Sequence, residues 1–150
     1  MKLSTVLLLL AGTSAHAADC LTYSKQVTLR GVLSRYTFPE QPNYESIAKG
    51  DAKATYFFVS PNNTLCVAEG NNTGGLEPAE PRVSQVQLVF PDGNVSYQRL
   101  RPYLGKEVVC HGSFFHAITG HHHSPVLLDG ANCRPTHHST GPARKAAQAG

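Results

Sequence analysis

Apolar residues recur at every second position along most of this chain. Val27, Leu29 and Leu33 alternate with Thr28, Arg30 and Ser34, with Gly31 among them. Period two puts one set on an inner face and the other in solvent, which predicts a half-buried strand that bends at the glycine. Ala54 to Ser60 is dense in aromatic and β-branched residues and predicts a second strand. Pro61-Asn62-Asn63 is a turn signal, after which Leu65-Cys66-Val67 returns as a short strand. Val86, Leu88 and Phe90 alternate with Gln85, Gln87 and Val89 until Pro91-Asp92-Gly93-Asn94 breaks the run. Glu107 to Phe115 and Val126 to Asp129 complete the set. The one helical signal covers Tyr97 to Leu104. Leu100, Tyr103 and Leu104 fall at i, i+3 and i+4, Gly105 stands at the cap, and Pro102 limits the helix to a turn or two.

Five or six short strands, with one short helix before the final hairpin, predict an all-β fold: a small OB-like barrel. An immunoglobulin-like sandwich is the alternative, and it would want about seven strands and no helix. Two long connections remain, Thr37 to Lys53 and Glu69 to Arg82. The second is rich in Asn and Gly and reads as a mobile surface loop, with Glu77 and Glu80 in solvent.

The two ends read differently from the middle. Lys2, the apolar run through Leu10 and the Ala15-His16-Ala17 triplet predict a secretory signal peptide over residues 1–17. The apolar run is too short to span a membrane, and no other stretch is long enough. Asp19 precedes Cys20 where a lipoprotein would need a small residue, so lipidation is set aside. Residues 18–133 form the OB-like domain. Residues 134–150 carry no large apolar side chain and predict a disordered tail.

The formal charge of the whole chain is +3, yet residues 18–133 hold nine Lys and Arg against ten Asp and Glu. The basic excess belongs to the ends. A nucleic-acid partner needs a basic face on the domain itself, so none is expected. Export places the four cysteines in an oxidising compartment, periplasmic or secreted. Without a C-x-x-C motif, two disulfides are the default, and four cysteines allow three pairings.

Candidate chemistry gathers in the final hairpin, which holds five of the seven mature histidines: His111, His116, His121, His122 and His123. Imidazoles suit zinc or copper. A turn centred between His121 and His122 puts Cys110 opposite Cys133, Phe114 opposite Asp129 and His116 opposite Leu127. His116 then shares a face with Asp129, which would orient its ring, while His111 points away with Phe115, Val126 and Leu128. Cysteines directly across two antiparallel strands are within disulfide reach. That register pairs Cys110 with Cys133 and leaves Cys20 for Cys66. A metal set of His116, His121, His122 and His123 is one reading of the tip. The other is an exposed polar turn, set by Gly120 before it and Ser124-Pro125 after it. The sequence has no G-x-S-x-G elbow and no paired acids at strand ends, so no catalytic residue is assigned.

The run from Leu104 to Leu128, LGKEVVCHGSFFHAITGHHHSPVLL, resembles an exported bacterial domain of unknown function, family 4431. That family pairs a glycine-containing first strand with a hairpin of the form LFHAxTGHHHTPVLL. Here Phe114 stands for the Leu, Ile118 fills the free position and Ser124 stands for the Thr. The strand Val27 to Leu33 and the Leu65-Cys66-Val67 segment are also similar. The resemblance implies a small exported domain and brings neither an activity nor a catalytic residue. Small size, export, disulfides and long loops on a barrel lead to the expectation of a non-enzymatic binding module, inhibitory or immunity-type, acting on an exported hydrolase or toxin. A periplasmic metal-binding protein using His116 and the His121–His123 tip is the alternative.

Overall fold

The computed structural model describes residues 20–72 and 75–136. The signal peptide read over 1–17 and the tail from 137 onward lie outside the described residues. The strands are β1 (Gln26–Pro39), β2 (Lys53–Pro61), β3 (Leu65–Val67), β4 (Gly70–Asn72), β5 (Gly75–Glu77), β6 (Glu80–Val83), β7 (Val86–Leu88), β8 (Glu107–His116) and β9 (Val126–Pro135). One α-helix, α1 (Asn94–Leu100), precedes the last two strands and runs into a 3-10 turn at Arg101–Tyr103. The helix begins three residues earlier than the periodicity predicts. Asp92 accounts for this by accepting hydrogen bonds from Ser96 N (3.1 Å) and Ser96 Oγ (3.0 Å) in the first turn.

The protein is mostly β, with five strands hydrogen-bonded in a closed circuit, β1-β2-β7-β9-β8 and back to β1. All these neighbours are antiparallel except β7 and β9, which are parallel. β1 is long enough, at 14 residues, to pair with β8 through its first half and β2 through its second. At the crossover, Gly31 lies so close to β2 that a Cβ there would collide with the Ser60 carbonyl. The glycine is needed for approach between strands.

Inside the circuit, Leu29, Leu33, Phe57, Val59, Leu88, Phe114 and Leu128 form the core, and Leu100 of α1 plugs it. A second buried layer lies outside the sheet. Phe58, Gln87 and Leu127 point outward yet are at most 2% exposed: Tyr36 and Phe38 pack on Phe58, and the segment between β8 and β9 folds back onto Gln87. Gln87 anchors that segment, donating to His121 O (2.9 Å) and accepting from His123 N (2.6 Å). The histidine tip is therefore a cover on the sheet and not a free turn.

The hairpin register is only half as expected. Cys110 faces Cys133 and His111 faces Asn132, but Ser113 faces Asp129, Phe114 faces Leu128 and His116 faces Val126. One extra residue of β9 is absorbed between these pairs, at Gly130, whose φ of +62° is the left-handed conformation of a glycine bulge. The bulge reverses the parity of β9. Val126 and Leu128 join the core, and Asp129 turns outward to solvent. The Asp129–His116 association expected from an even register is thus corrected.

Disulfides join Cys110 to Cys133 and Cys20 to Cys66. The second fastens the chain start beside β3, where Leu21 also bridges Val67. The Glu69–Arg82 connection, read as a loop, instead contains β4, β5 and β6. β4 pairs with β5, and β6 pairs with β3. β9 continues through Pro135, two residues into the segment read as tail.

Candidate functional site

Glu40 follows β1 directly and is only 7% exposed. A buried carboxylate needs donors, and three elements supply them. Tyr56 of β2 donates its hydroxyl to Glu40 Oε1 at 2.6 Å. From the tip, His121 Nδ1 contacts Glu40 Oε2, and His123 Nε2 stands 3.7 Å from Oε1. That His123 nitrogen is buried and has no hydrogen-bond partner among the described residues. The His123 ring lies flat on Phe38, with centroids 3.8 Å apart and planes 3° from parallel. Tyr44, from the 40–52 connection, reaches the far side of His121, its hydroxyl 3.4 Å from Nε2. Burial pushes the Glu40 carboxyl up, but the Tyr56 and His121 contacts outweigh it and hold the group below the usual carboxylate range. Burial, and then the Glu40 contact, push the Tyr56 hydroxyl up.

Asp51 shapes the connection that carries Tyr44. Its carboxylate accepts from the backbone N–H groups of Asn43 (3.0 Å), Glu45 (2.8 Å) and Ser46 (2.8 Å). The Ser46 bond, opposed by burial and aided by Glu45 and Asn43, lowers its pKa.

Beside this cluster lies an open cleft of about 470 Å³, bounded by β2, the continuation of β7, the start of α1 and the tip. Thr55, Tyr56 and Phe57 form one wall, and Leu88, Val89 and Phe90 the other. Tyr97 stacks on Phe57 (4.5 Å, 6°), and His121 and His122 close the end. The lining contains no Asp, Glu, Lys, Arg, Ser or Cys. It offers apolar and aromatic contact with a few neutral polar groups, the make-up of a recognition site.

The four histidines read as a metal set do not converge. His121 and His123 meet at Glu40. His122 Nδ1 accepts from the Ile118 backbone N–H at 2.9 Å, and its ring meets Phe115 edge-on. Burial, then the neighbouring His121 and His123, lowers the His122 pKa. His116 lies elsewhere, its Nε2 3.0 Å from Glu80. Among the described residues, no group of three or more His, Cys, Asp and Glu is placed to hold a metal ion. His111 is apart from all of these, its Nδ1 3.1 Å from Thr28 Oγ1.

Around His116 sits a second polar cluster that the loop reading placed in solvent. Glu77 is 4% exposed and accepts from the His116 backbone N–H at 3.4 Å. Tyr23 donates to Pro78 O at 2.9 Å. Burial, with Glu80 and Glu77 nearby, pushes the Tyr23 hydroxyl up to about 12. These contacts fasten the β3–β6 excursion to β8.

Sequence reasoning passed over Glu40, Tyr44 and Tyr56. One signal was present: a lone acid at the end of the apolar run Tyr36-Thr37-Phe38-Pro39. Among the described residues, no helix is long and apolar enough to cross a membrane. No curated protein and no solved structure matches the chain. Residues 85–129, which hold β7, α1, β8 and the whole histidine tip, match the model of the family described as Domain of unknown function (DUF4431), the family that the hairpin motif resembles.

Proposed function

We propose that this chain is an exported, periplasmic binding module without catalytic activity, inhibitory or immunity-type, and that its partner occupies the cleft between β2, β7, α1 and the tip. The observation that carries this reading is the position of the cleft. The strand order β1-β2-β7-β9-β8, with a helix before the final pair, supports reading the fold as an OB-like barrel. In such barrels the second and third strands, and the loops after the first and fourth, frame the ligand site. On that reading those parts are β2, β7, the 40–52 connection and the 117–125 tip: β2, β7 and the tip line the cleft, and the connection brings Tyr44 to the Glu40 cluster. A largely aromatic lining, in which His121 is held by Glu40 and His122 by the Ile118 N–H, favours recognition over acid–base or nucleophilic work. The exported compartment is supported by the two disulfides and the signal-like N-terminus.

A photo-crosslinking residue at Asn94, in the cleft, and another at Asn132, away from it, test the reading. In the exported fraction, a discrete adduct at position 94 and none at 132 is expected. Adducts at 132 alone, or turnover of a cell-wall substrate by the purified domain, would overturn it.

A further inference from the structure

The cleft exists because two neighbouring strands part. β2 and β7 are paired only at Phe58–Gln87 and Val59–Val86. Past Leu88 the chain turns toward β9, with Val89 N donating to Leu128 O and Ala131 N donating to Val89 O, both at 2.9 Å. Beyond Phe57, β2 carries on alone to Lys53, still paired with β1 along its other edge.

The direction of the β2 main chain follows from that pairing. Asn62 N donates to Arg30 O, Glu40 N donates to Ala52 O and Ala52 N donates to Gln41 O. The register between them is unbroken. Even-numbered residues along β2 therefore turn their N–H and C=O toward β1, and odd-numbered residues turn theirs the other way. The Phe58–Gln87 pair requires the Phe57 C=O to accept from the Leu88 N–H, so the main-chain groups aimed into the cleft are the N–H and C=O of Thr55 and the N–H of Phe57. On the opposite wall Val89 bonds to β9, so the next residue, Phe90, directs its N–H back toward β2. Main-chain donors and acceptors of this kind are seldom left without partners in a folded protein.

Resting on the cleft reading above, we propose that the partner is an extended, uncharged peptide segment that adds as a strand to the free edge of β2. Main-chain bonding to both groups of Thr55 and to the Phe57 N–H would supply the affinity, as in other strand-addition complexes. The lining holds no Asp, Glu, Lys or Arg, and its His121 is already taken up by Glu40, which selects for a neutral segment, since an ionised group would find no free counter-charge there. A strand presents alternate side chains to its two sides. One set would meet the aromatic group of Phe57, Phe90 and Tyr97, and the other would meet Tyr56 and His121. The segment should therefore alternate apolar with neutral polar residues.

The probe is the blocked peptide acetyl-Thr-Val-Thr-Val-Thr-Val-amide, with a version N-methylated at alternate residues as its control. Titrated into the full mature protein, the first should shift the amide resonances of Thr55, Phe57 and Phe90 and slow hydrogen exchange at Thr55. N-methylation should weaken binding at least tenfold. Thr55→Pro, which removes the donor, should weaken it similarly while leaving the remaining spectrum folded. Equal binding of the methylated peptide, shifts confined to another surface, or no binding at millimolar peptide would each overturn strand addition. If a partner still crosslinks at Asn94 in any of those cases, the cleft reading survives and only the strand mode falls. If nothing crosslinks there, the cleft reading falls as well.

Discussion

Asp51 shows how one carboxylate can organise a whole connection. Three backbone N–H groups that no strand or helix satisfies converge on it. Its pKa is lower in the folded state than in the unfolded chain. A depressed carboxylate contributes stability that is present above its unfolded value, about 3.9, and is lost as pH falls through the folded value. Protection of the Asn43, Glu45 and Ser46 amides, taken relative to their intrinsic exchange, should therefore fall selectively when pH drops below that range. Asp51→Ala should produce the same loss of protection at neutral pH while barely touching the barrel amides. Protection unchanged across the pH series would contradict the assignment. Glu40 works similarly on a larger scale, because its two oxygens tie β1's end to β2 and to the tip. Nothing in the local sequence announces this. Glu40 and Tyr56 are joined by strand pairing, and Glu40 and His121 by the folding back of a distant hairpin, so the cluster became visible only in three dimensions.

At the level of elements, the strands that alternate cleanly were legible and the others were not. β1, β2, β7 and β8 stand out because one face of each meets the core. β4 and β5 escaped, since Gly70-Asn71-Asn72 and Gly75-Leu76-Glu77 show no alternation, and the pair is held by hairpin closure and a buried Glu77. The hairpin register was right at the disulfide and wrong toward the tip for a single reason, the bulge at Gly130. A side chain there would have to adopt a left-handed backbone, at a cost of about 1–3 kcal/mol. Gly130→Val should lower the thermal midpoint accordingly, whereas the same change at exposed Asn132 should have little effect. Equal midpoints for the two variants would mean that the bulge can relocate. Breaking the Cys110–Cys133 bond by double substitution to Ser should cost roughly 2–4 kcal/mol in denaturant unfolding. A cost near zero would show that the β8–β9 ladder alone holds the pair together.

For the whole molecule, the closed circuit explains where truncation is tolerated. β9 extends to Pro135, where Val108 and Val109 pair with Pro135 and Arg134, and Thr136 donates from both N and Oγ1 to the Glu107 carbonyl at 3.1 Å. Removing residues 137–150 should leave the midpoint unchanged, because their composition offers no large apolar group to bury. Removing everything after Cys133 should lower it measurably, since two pairs and the Thr136 bonds go too. Scanning calorimetry of the two truncations separates these outcomes, and identical midpoints would place the effective end of the barrel at Cys133.

The two disulfides also determine how the chain would respond to mechanical load. Pulled from its two ends, the oxidised protein transmits force directly across Cys20–Cys66 and across Cys110–Cys133. Between Cys20 and Cys133, only the stretch from Cys66 to Cys110 can pay out. At the reach of an extended chain, that stretch yields about 150 Å, against about 400 Å between Cys20 and Cys133 once both bonds are reduced. β1, β2 and most of the final hairpin would remain locked inside covalent loops while β7 and α1 were drawn away. Under tension, the walls of the cleft would part before the cysteine-closed segments lengthened at all.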